Sequence, residues 1–347
     1  LYSNRFGLLK VLISNMKLAD RIDAFVELGR RLHTIEPGDK NNLYRQAGDR
    51  NPWFTQRQCD IALNGILKFL VKDQLEQWVM GYNLSLAAPR KVGVVMAGNI
   101  PMVGFHDLLS VLISGHHLVA KLSSQDSVLM GFVAEQLLNI QPAFRDSITF
   151  AERMNDVGAV IATGSDNTSR YFEYYFRNIP HIIRKNRSSC AVIRGDETAE
   201  QLTTLGEDVF TYFGLGCRNV SKVFVPEGYD LTKILRVWDG YQDVFNHHKY
   251  ANNYDYNKSI LLVNRIHFLD NGFVLITENK GLVSPISVLY HEPYSGQPDL
   301  ASDKIQCIAS STGWFPGSVA FGKTQEPGLS DYADGVDTLR FLSTGLA

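Results

Sequence analysis

The run Tyr212-Phe213-Gly214-Leu215-Gly216-Cys217-Arg218-Asn219-Val220-Ser221-Lys222-Val223-Phe224-Val225-Pro226 sets one cysteine between a glycine-rich turn and an apolar strand. This is a setting for a thiolate nucleophile. Gly214 and Gly216 clear side chains from around the sulfur, so a flat acyl carbon can approach and backbone amides can face the oxygen that becomes negative. The alternative is an ordinary buried thiol, since a cysteine without a chemical task behaves as a small hydrophobe. A second run, Val92-Gly93-Val94-Val95-Met96-Ala97-Gly98-Asn99-Ile100-Pro101, carries an apolar strand into Asn99. Its side-chain N–H groups can donate to an oxyanion, although an Asn ahead of an X-Pro step also serves simply to form the turn. Taken together, the two runs supply the two halves of an acyl-transfer site.

At these residues the chain resembles the aldehyde dehydrogenase superfamily. Its members carry an Asn-X-Pro oxyanion segment, a Lys-X-Ser segment under the cofactor adenosine, a Gly-Ser helix start and a cysteine after a glycine-rich turn. Here they read, in the same order, Asn99-Ile100-Pro101, Lys121-Leu122-Ser123-Ser124, Gly164-Ser165 and Gly214-Leu215-Gly216-Cys217. The wording Gly98-Asn99-Ile100-Pro101-Met102-Val103-Gly104-Phe105-His106-Asp107, the run from His248 to Lys258 and the ending from Asp331 to Thr338 are similar to the LuxC-type acyl-CoA reductases, so the likeness extends from about Asn51 to the C-terminus.

The resemblance implies an α/β chain of two doubly wound domains with N-terminal helices. Residues 1–190 would form the helices and the NAD(P)-binding domain, 191–325 the catalytic cysteine domain, and 326–347 a segment returning to the first domain or meeting another subunit. It implies that Cys217 and Asn99 are catalytic and that Lys121, Ser123, Ser124, Gly164 and Ser165 hold a nicotinamide dinucleotide. The implied reaction is reduction of a long-chain acyl-CoA, or another activated acyl donor, to the aldehyde. Reduction of an acyl phosphate, or a non-catalytic role channelling acyl groups, are the rival readings. A homo-oligomer and an acyl-transfer partner protein are further expectations.

Two departures sharpen this. The superfamily's glutamate base on a Glu-Leu-Gly-Gly-Lys segment has no counterpart in residues 182–189, which contain no carboxylate. Release of a free acid needs a base to activate water, whereas hydride reduction of a thioester does not. The loss therefore favours the reductive direction. The usual Glu-X-Phe-Gly-Pro segment is represented only by Gly281-Leu282-Val283-Ser284-Pro285, which keeps the proline. A superfamily glutamate that binds both ribose hydroxyls is replaced here by Ser124. A hydroxyl tolerates a 2′-phosphate, so NADPH is expected ahead of NADH, with Asp126 close by weighing the other way.

The elements that must position these residues follow from periodicity. Residues 17–34 and 56–82 place apolar side chains at helical spacing. Pro37 to Asn42 reads as a loop, and Asn51-Pro52-Trp53 as a helix start. From Val92, short apolar runs alternate with helical stretches, the pattern of βαβ units around a parallel sheet. Strands are expected at 92–96, 117–121, 148–150, 159–162 and 182–183, with helices over 103–114, 126–138 and 167–178. In such sheets the ligand lies beyond the carboxyl ends of the strands, where Lys121, Ser123 and Gly164-Ser165 all fall. A solvated lysine and a plain Ser cap are the alternatives there. A second domain is expected from a strand at 191–194, a helix near 198–212 and a strand at 222–225. The Tyr- and Asn-rich run 250–258 reads as a surface loop or the lining of an acyl channel. His106, His247 and His248 are candidate acids or phosphate contacts by residue type, while the His116-His117 and His247-His248 pairs lack the i, i+4 spacing of a zinc helix.

With 347 residues, 45% apolar and 20% charged, the chain has the profile of a globular protein large enough for two domains. A formal charge of −2 gives no electrostatic footprint for nucleic acid or an anionic membrane. No apolar run approaches the roughly 20 residues of a membrane helix. Four cysteines without metal-like spacing are expected to be reduced, in the cytoplasm. The start, Leu1-Tyr2-Ser3-Asn4-Arg5, reads as the interior of a longer protein rather than a signal peptide.

Overall fold

The structure is a computed structural model that describes residues 16–84, 89–344 and 346, so the reading of Leu1 to Arg5 lies outside the described residues. The chain divides into two units, one running through Lys185 and resuming at Gly328, the other spanning Asn186–Pro327.

Among the described residues the first unit opens with four helices. Helix α1 (Leu18–His33) buries Ile22, Phe25, Leu28 and Leu32, a stripe at helical period. Helix α2 (Pro37–Arg50) begins where the sequence reads as a loop. Its turn-forming residues occupy the first turn, where proline's missing N–H costs nothing and its fixed φ suits a helix. Asn51-Pro52-Trp53 is not a helix start: Asn51 is the C-cap of α2, and the next helix, α3 (Gln56–Phe69), is capped by Thr55, whose side chain accepts from Gln58 N. The apolar period expected to run on to residue 82 breaks at Leu70-Val71 before α4 (Lys72–Val79). Leu70 is buried against α1, where a Cβ on Gly29 would lie 2.8 Å from its own Cβ.

There follow β1 (Lys91–Val95), α5 (Phe105–Ile113), β2 (His117–Lys121), α6 (Ser127–Ile140), β3 (Ile148–Phe150), β4 (Ala159–Thr163), α7 (Asp166–Phe176) and β5 (His181–Arg184). The five strands are all parallel in the order β3-β2-β1-β4-β5. Their central residues Val92, Val94, Leu118, Ala120, Val160 and Ile161 are fully buried, because parallel sheets carry helices on both faces. The order reverses between β1 and β4.

The second unit contains β6 (Ser188–Val192), α8 (Ala199–Phe210), β7 (Val220–Pro226), α9 (Thr232–Val237), α10 (His248–Val263), β8 (Phe268–Asp270), β9 (Leu275–Glu278), β10 (Val288–Tyr294), β11 (Ile305–Ser310) and β12 (Val319–Ala320). Its sheet has the order β12-β11-β6-β7-β10-β9-β8 and is parallel except for the β8–β9 pair. The Tyr- and Asn-rich run expected as a loop lies inside α10. Tyr250, Tyr254, Asn257 and Leu261 recur at helical spacing and are the residues this helix buries.

The returning segment ends in α11 (Thr338–Thr344) and is tied to the first unit by buried polar contacts. Arg184, at the end of β5, pairs with Asp107 on α5 and donates from Nη2 to Thr338 Oγ1 at 3.1 Å. His116 accepts from Arg90 N at Nδ1, which leaves Nε2–H to donate to Leu342 O at 2.9 Å.

Candidate functional site

In the first unit the segments predicted to hold cofactor and oxyanion follow β1, β2 and β4. Gly98 to Pro101 follows β1, and Gly164-Ser165 follows β4, so they flank the point where the strand order reverses. In open α/β sheets that crevice is where ligands bind. Asn99 is exposed and Gly98 is buried. A side chain on Gly98 would collide with Ser123 Oγ and Cβ, so glycine is required for the Lys121–Ser124 segment to pass this close. Asn51, misread as a helix start, instead donates from Nδ2 to Gly98 O at 3.1 Å.

Lys121 ends β2 with its ammonium half-exposed, donating to Glu152 O at 2.8 Å and lying 3.8 Å from the Glu152 carboxylate. Ser123 Oγ accepts from Gln125 N at 3.2 Å, and Ser124 is exposed. Ser165 is the N-cap of α7, its Oγ accepting from Thr168 N at 3.3 Å. It is therefore a helix cap, and the Gly164 amide is not free as the sequence suggests but donates to Arg184 O at 3.2 Å; what is left for an anion is the first turn of α7. Asp126 lies next to this segment, its backbone N donating to Ser123 O at 3.1 Å, but its side chain is buried and accepts from Met102 N.

Cys217 belongs to the second unit. The chain leaves α8 through a run of left-handed residues, with φ 53° at Tyr212, 57° at Phe213, 80° at Gly214 and 98° at Gly216. Only the last two are glycine, so the turn carries backbone strain at Tyr212 and Phe213 that the surrounding packing must hold. The Phe213 ring lies 4.6 Å from that of His247 and 6.2 Å from that of Tyr250, centroid to centroid. Cys217 is half-buried, and its carbonyl accepts from Ser189 Oγ at 3.1 Å, which ties the cysteine to β6. Arg218 Nη1 donates to Thr324 O at 3.3 Å.

Thr324 is held in turn by Asp208, a fully buried carboxyl on α8 that accepts from Gly322 N, Thr324 N and Thr324 Oγ1 at 2.7, 3.0 and 2.7 Å. Burial pushes this carboxyl up to about 6 despite the three donors. Since the folded pKa lies above the unfolded one, this group's contribution is most favourable below about pH 3.9 and is lost as pH rises through 6. Between about pH 4.5 and 7 the native protein should lose about 2 kcal/mol relative to Asp208→Asn. Urea unfolding of both proteins at the two pH values measures the difference.

The segment Gly281 to Pro285 is also fastened near the cysteine turn in sequence. Ser221 Oγ donates to Leu282 O at 2.6 Å, and buried Lys222 donates from Nζ to Lys280 O at 3.0 Å while pairing with Glu292. Ser188 and Ser189 are buried and hydrogen-bonded to Asn219 O and Cys217 O. His106 lies among the rings of Phe69, Trp78 and Tyr332 with Nε2 on Leu329 O, and His247 stacks on His248. Among the described residues no group of three or more His, Cys, Asp or Glu could hold a metal ion, and no helix is long and apolar enough to cross a membrane. The sequence reading missed Asn51, Asp126, Ser189 and Asp208, whose roles come from partners between 24 and 116 residues away.

No protein-family model matches the chain, and no curated protein does. Solved structures do. The chain is similar to the NAD+ complex of aldehyde dehydrogenase from Bacillus cereus, with TM-score 0.61, 13% identity, and coverage of 86% of this chain and 72% of that one. Aldehyde dehydrogenase 21 from Physcomitrella patens, in complex with the reaction product succinate, matches with TM-score 0.65 and 10% identity over 96% and 85% of the two chains. An NADP-dependent enzyme from E. coli matches with TM-score 0.62 and 11% identity over 86% and 74%. The chain has the aldehyde dehydrogenase fold, with two α/β units as the sequence predicts.

Proposed function

We propose that the protein is a nicotinamide-dependent reductase of activated acyl groups, of the LuxC acyl-CoA reductase type, acting through a Cys217 acyl-enzyme. The observation that carries this reading is the strained, glycine-cleared turn that ends at Cys217, with its carbonyl fixed by Ser189. The fold and the strand-end segments support a nicotinamide dinucleotide. Lys121 and Ser124 present an ammonium and a hydroxyl at one strand end, and Gly164-Ser165 leads from β4 into the N-terminus of α7. Ser124, with Asp126 turned away, favours the 2′-phosphate of NADPH, while the Glu152 carboxylate beside Lys121 leaves NADH as the second choice.

In this reading the Cys217 thiolate attacks the carbonyl carbon of an acyl-CoA, forming a C–S bond. Asn99 and the Cys217 backbone amide donate to the oxyanion, and the CoA thiolate departs with a proton from solvent. When bound, the nicotinamide supplies hydride to the acyl carbon. Asn99 again holds the developing oxyanion, and its collapse returns the electron pair to Cys217 Sγ and frees the aldehyde. The absence of a carboxylate between Ile182 and Ser189 leaves hydrolysis without the superfamily's base.

The test is a product balance with decanoyl- or tetradecanoyl-CoA and NADPH or NADH. One CoA and one aldehyde for each reduced cofactor consumed supports the proposal. Turnover only with an acyl phosphate would move the donor, and absence of turnover with either donor would favour an acyl-channelling role. Asn99→Ala should lower kcat by about 10²- to 10³-fold while cofactor affinity stays unchanged, the cost of removing one oxyanion donor. Unchanged turnover in this variant would remove Asn99 from the site. The same reading places the protein in a reducing cytoplasm as a homo-oligomer, with an acyl-transfer protein as the source of its acyl groups.

A further inference from the structure

We propose that Asp126 is a positioning residue for the segment that presents Asn99, holding Met102 in a left-handed conformation and joining that turn to the Lys121–Ser124 segment. Its consequence for catalysis rests on the acyl-reductase reading, but its structural half does not. Asp126 occupies the N-cap of α6, where an aspartate ordinarily accepts from the first free amides of the helix. Here its side chain makes no capping bond. It turns inward instead, is only 2% exposed, and accepts from Met102 N through Oδ2 at 2.7 Å. Its other oxygen, Oδ1, is buried without a partner.

A carboxyl that forgoes both its cap and water for one amide is in a costly position. What it secures is the backbone of Met102, a non-glycine residue at φ 55°, a conformation worth about 1–2 kcal/mol of strain and retained only where its surroundings impose it. Met102 is the residue after Pro101, so the Asn99-Ile100-Pro101 turn ends on this hydrogen bond. From the other side, Asp126 N donates to Ser123 O at 3.1 Å, and the Ser123 side chain fills the space left by Gly98. One residue thus joins the two segments, its side chain holding the oxyanion segment and its backbone amide the cofactor segment.

Burial pushes Asp126 up to about 8, opposed by the Met102 amide. The ionisable group that faces it is Cys59 on α3, itself pushed up to about 12 by burial first and by Asp126 second. Near neutral pH the carboxyl accepts the Met102 N–H without placing a full charge under the turn. Ionisation at alkaline pH places a buried negative charge under a segment that has to stabilise an oxyanion, so acylation should fall there.

The experiment compares wild type, Asp126→Asn and Asp126→Leu in the full chain. Acylation of Cys217 by decanoyl-CoA is followed by mass spectrometry from neutral to alkaline pH, per folded molecule, alongside hydrogen exchange at the Met102 amide. Asp126→Asn keeps a carbonyl acceptor and should acylate like wild type at neutral pH, without the alkaline fall. Asp126→Leu should acylate about 10- to 100-fold more slowly at every pH, with the Met102 amide exchanging freely. A purely structural role would lower the unfolding midpoint and leave acylation per folded molecule and its pH profile unchanged, which overturns the proposal. So does equal Met102 exchange in all three proteins. If wild type itself is not acylated, the acyl-reductase reading fails, and the exchange data still decide whether Asp126 holds the turn.

Discussion

Cys217→Ala should abolish acyl-CoA-dependent oxidation of NADPH, a loss on the order of 10⁴-fold or more, while leaving cofactor affinity intact. The residue is the only nucleophile in the proposed sequence, and its removal leaves binding and oxyanion stabilisation without a bond-forming partner. The substitution is small, and Gly214, Gly216 and the Ser189 bond to the Cys217 carbonyl all remain in it, so folding should be preserved. Cys217→Ser is the sharper comparison. The proposed sequence of steps assigns no base to a serine hydroxyl, which is a far weaker nucleophile than a thiolate, so this variant should be nearly as inactive as alanine. An acyl-channelling protein would keep its function with serine. The measurement is stopped-flow NADPH oxidation together with trapping of the labelled acyl-enzyme. Label incorporated at native rate into either variant would move the nucleophile elsewhere.

The second large effect concerns stability. Arg184→Met should destabilise the first unit by about 3–5 kcal/mol, because it leaves the Asp107 carboxylate buried without its cation. Arg184 and Asp107 are 6% and 5% exposed, so water cannot replace the lost partner. Asp107 Oδ1 already lacks a hydrogen bond, which leaves the pair no reserve. Replacing both residues, as Asp107→Leu with Arg184→Met, should recover much of the loss, since a buried ion pair contributes little beyond what apolar side chains of similar volume supply. Chemical denaturation of the two singles and the double gives the coupling directly. Additive losses would mean that the pair does not act as a unit.

What the sequence disclosed follows from how local each signal is. Strands β1 to β5 and helices α5 to α7 were legible because each is an apolar run bounded by glycine, proline or a cap, and β2 and β3 fall where the pattern places them. Helix α2 was hidden because Pro37-Gly38-Asp39 signals a turn unless the proline is read as the first helical residue. Helix α10 was hidden by composition, although its Tyr250, Tyr254, Asn257 and Leu261 spacing carried the helical period. The break between α3 and α4 depends on Leu70 meeting Gly29, a contact 41 residues back that no local pattern encodes. The site divides in the same way. Cys217 and its glycines lie in one short run, and Gly164 and Ser165 at one strand end, so as candidates they needed no more than local sequence. The side chains that hold those segments in place, Asp126 for Met102 and Asp208 for Thr324, depend on folding having already brought distant chain together. His106 looked chemical by type, and its ring of aromatic neighbours became visible only once the C-terminal segment was in place.

The return of the chain after Gly328 bears on the order in which a ribosome could deliver a folded product. The second unit is one continuous stretch, Asn186–Pro327, and has all its strands as soon as that stretch has emerged. The first unit, begun earlier, must wait for residues made after the second: until Thr338 arrives Arg184 lacks its hydroxyl partner, and until Leu342 arrives the His116 imidazole lacks the carbonyl it meets. Of these two units, the one begun first is therefore the one completed second, and throughout that interval it holds an arginine and a histidine that still lack partners from the returning segment.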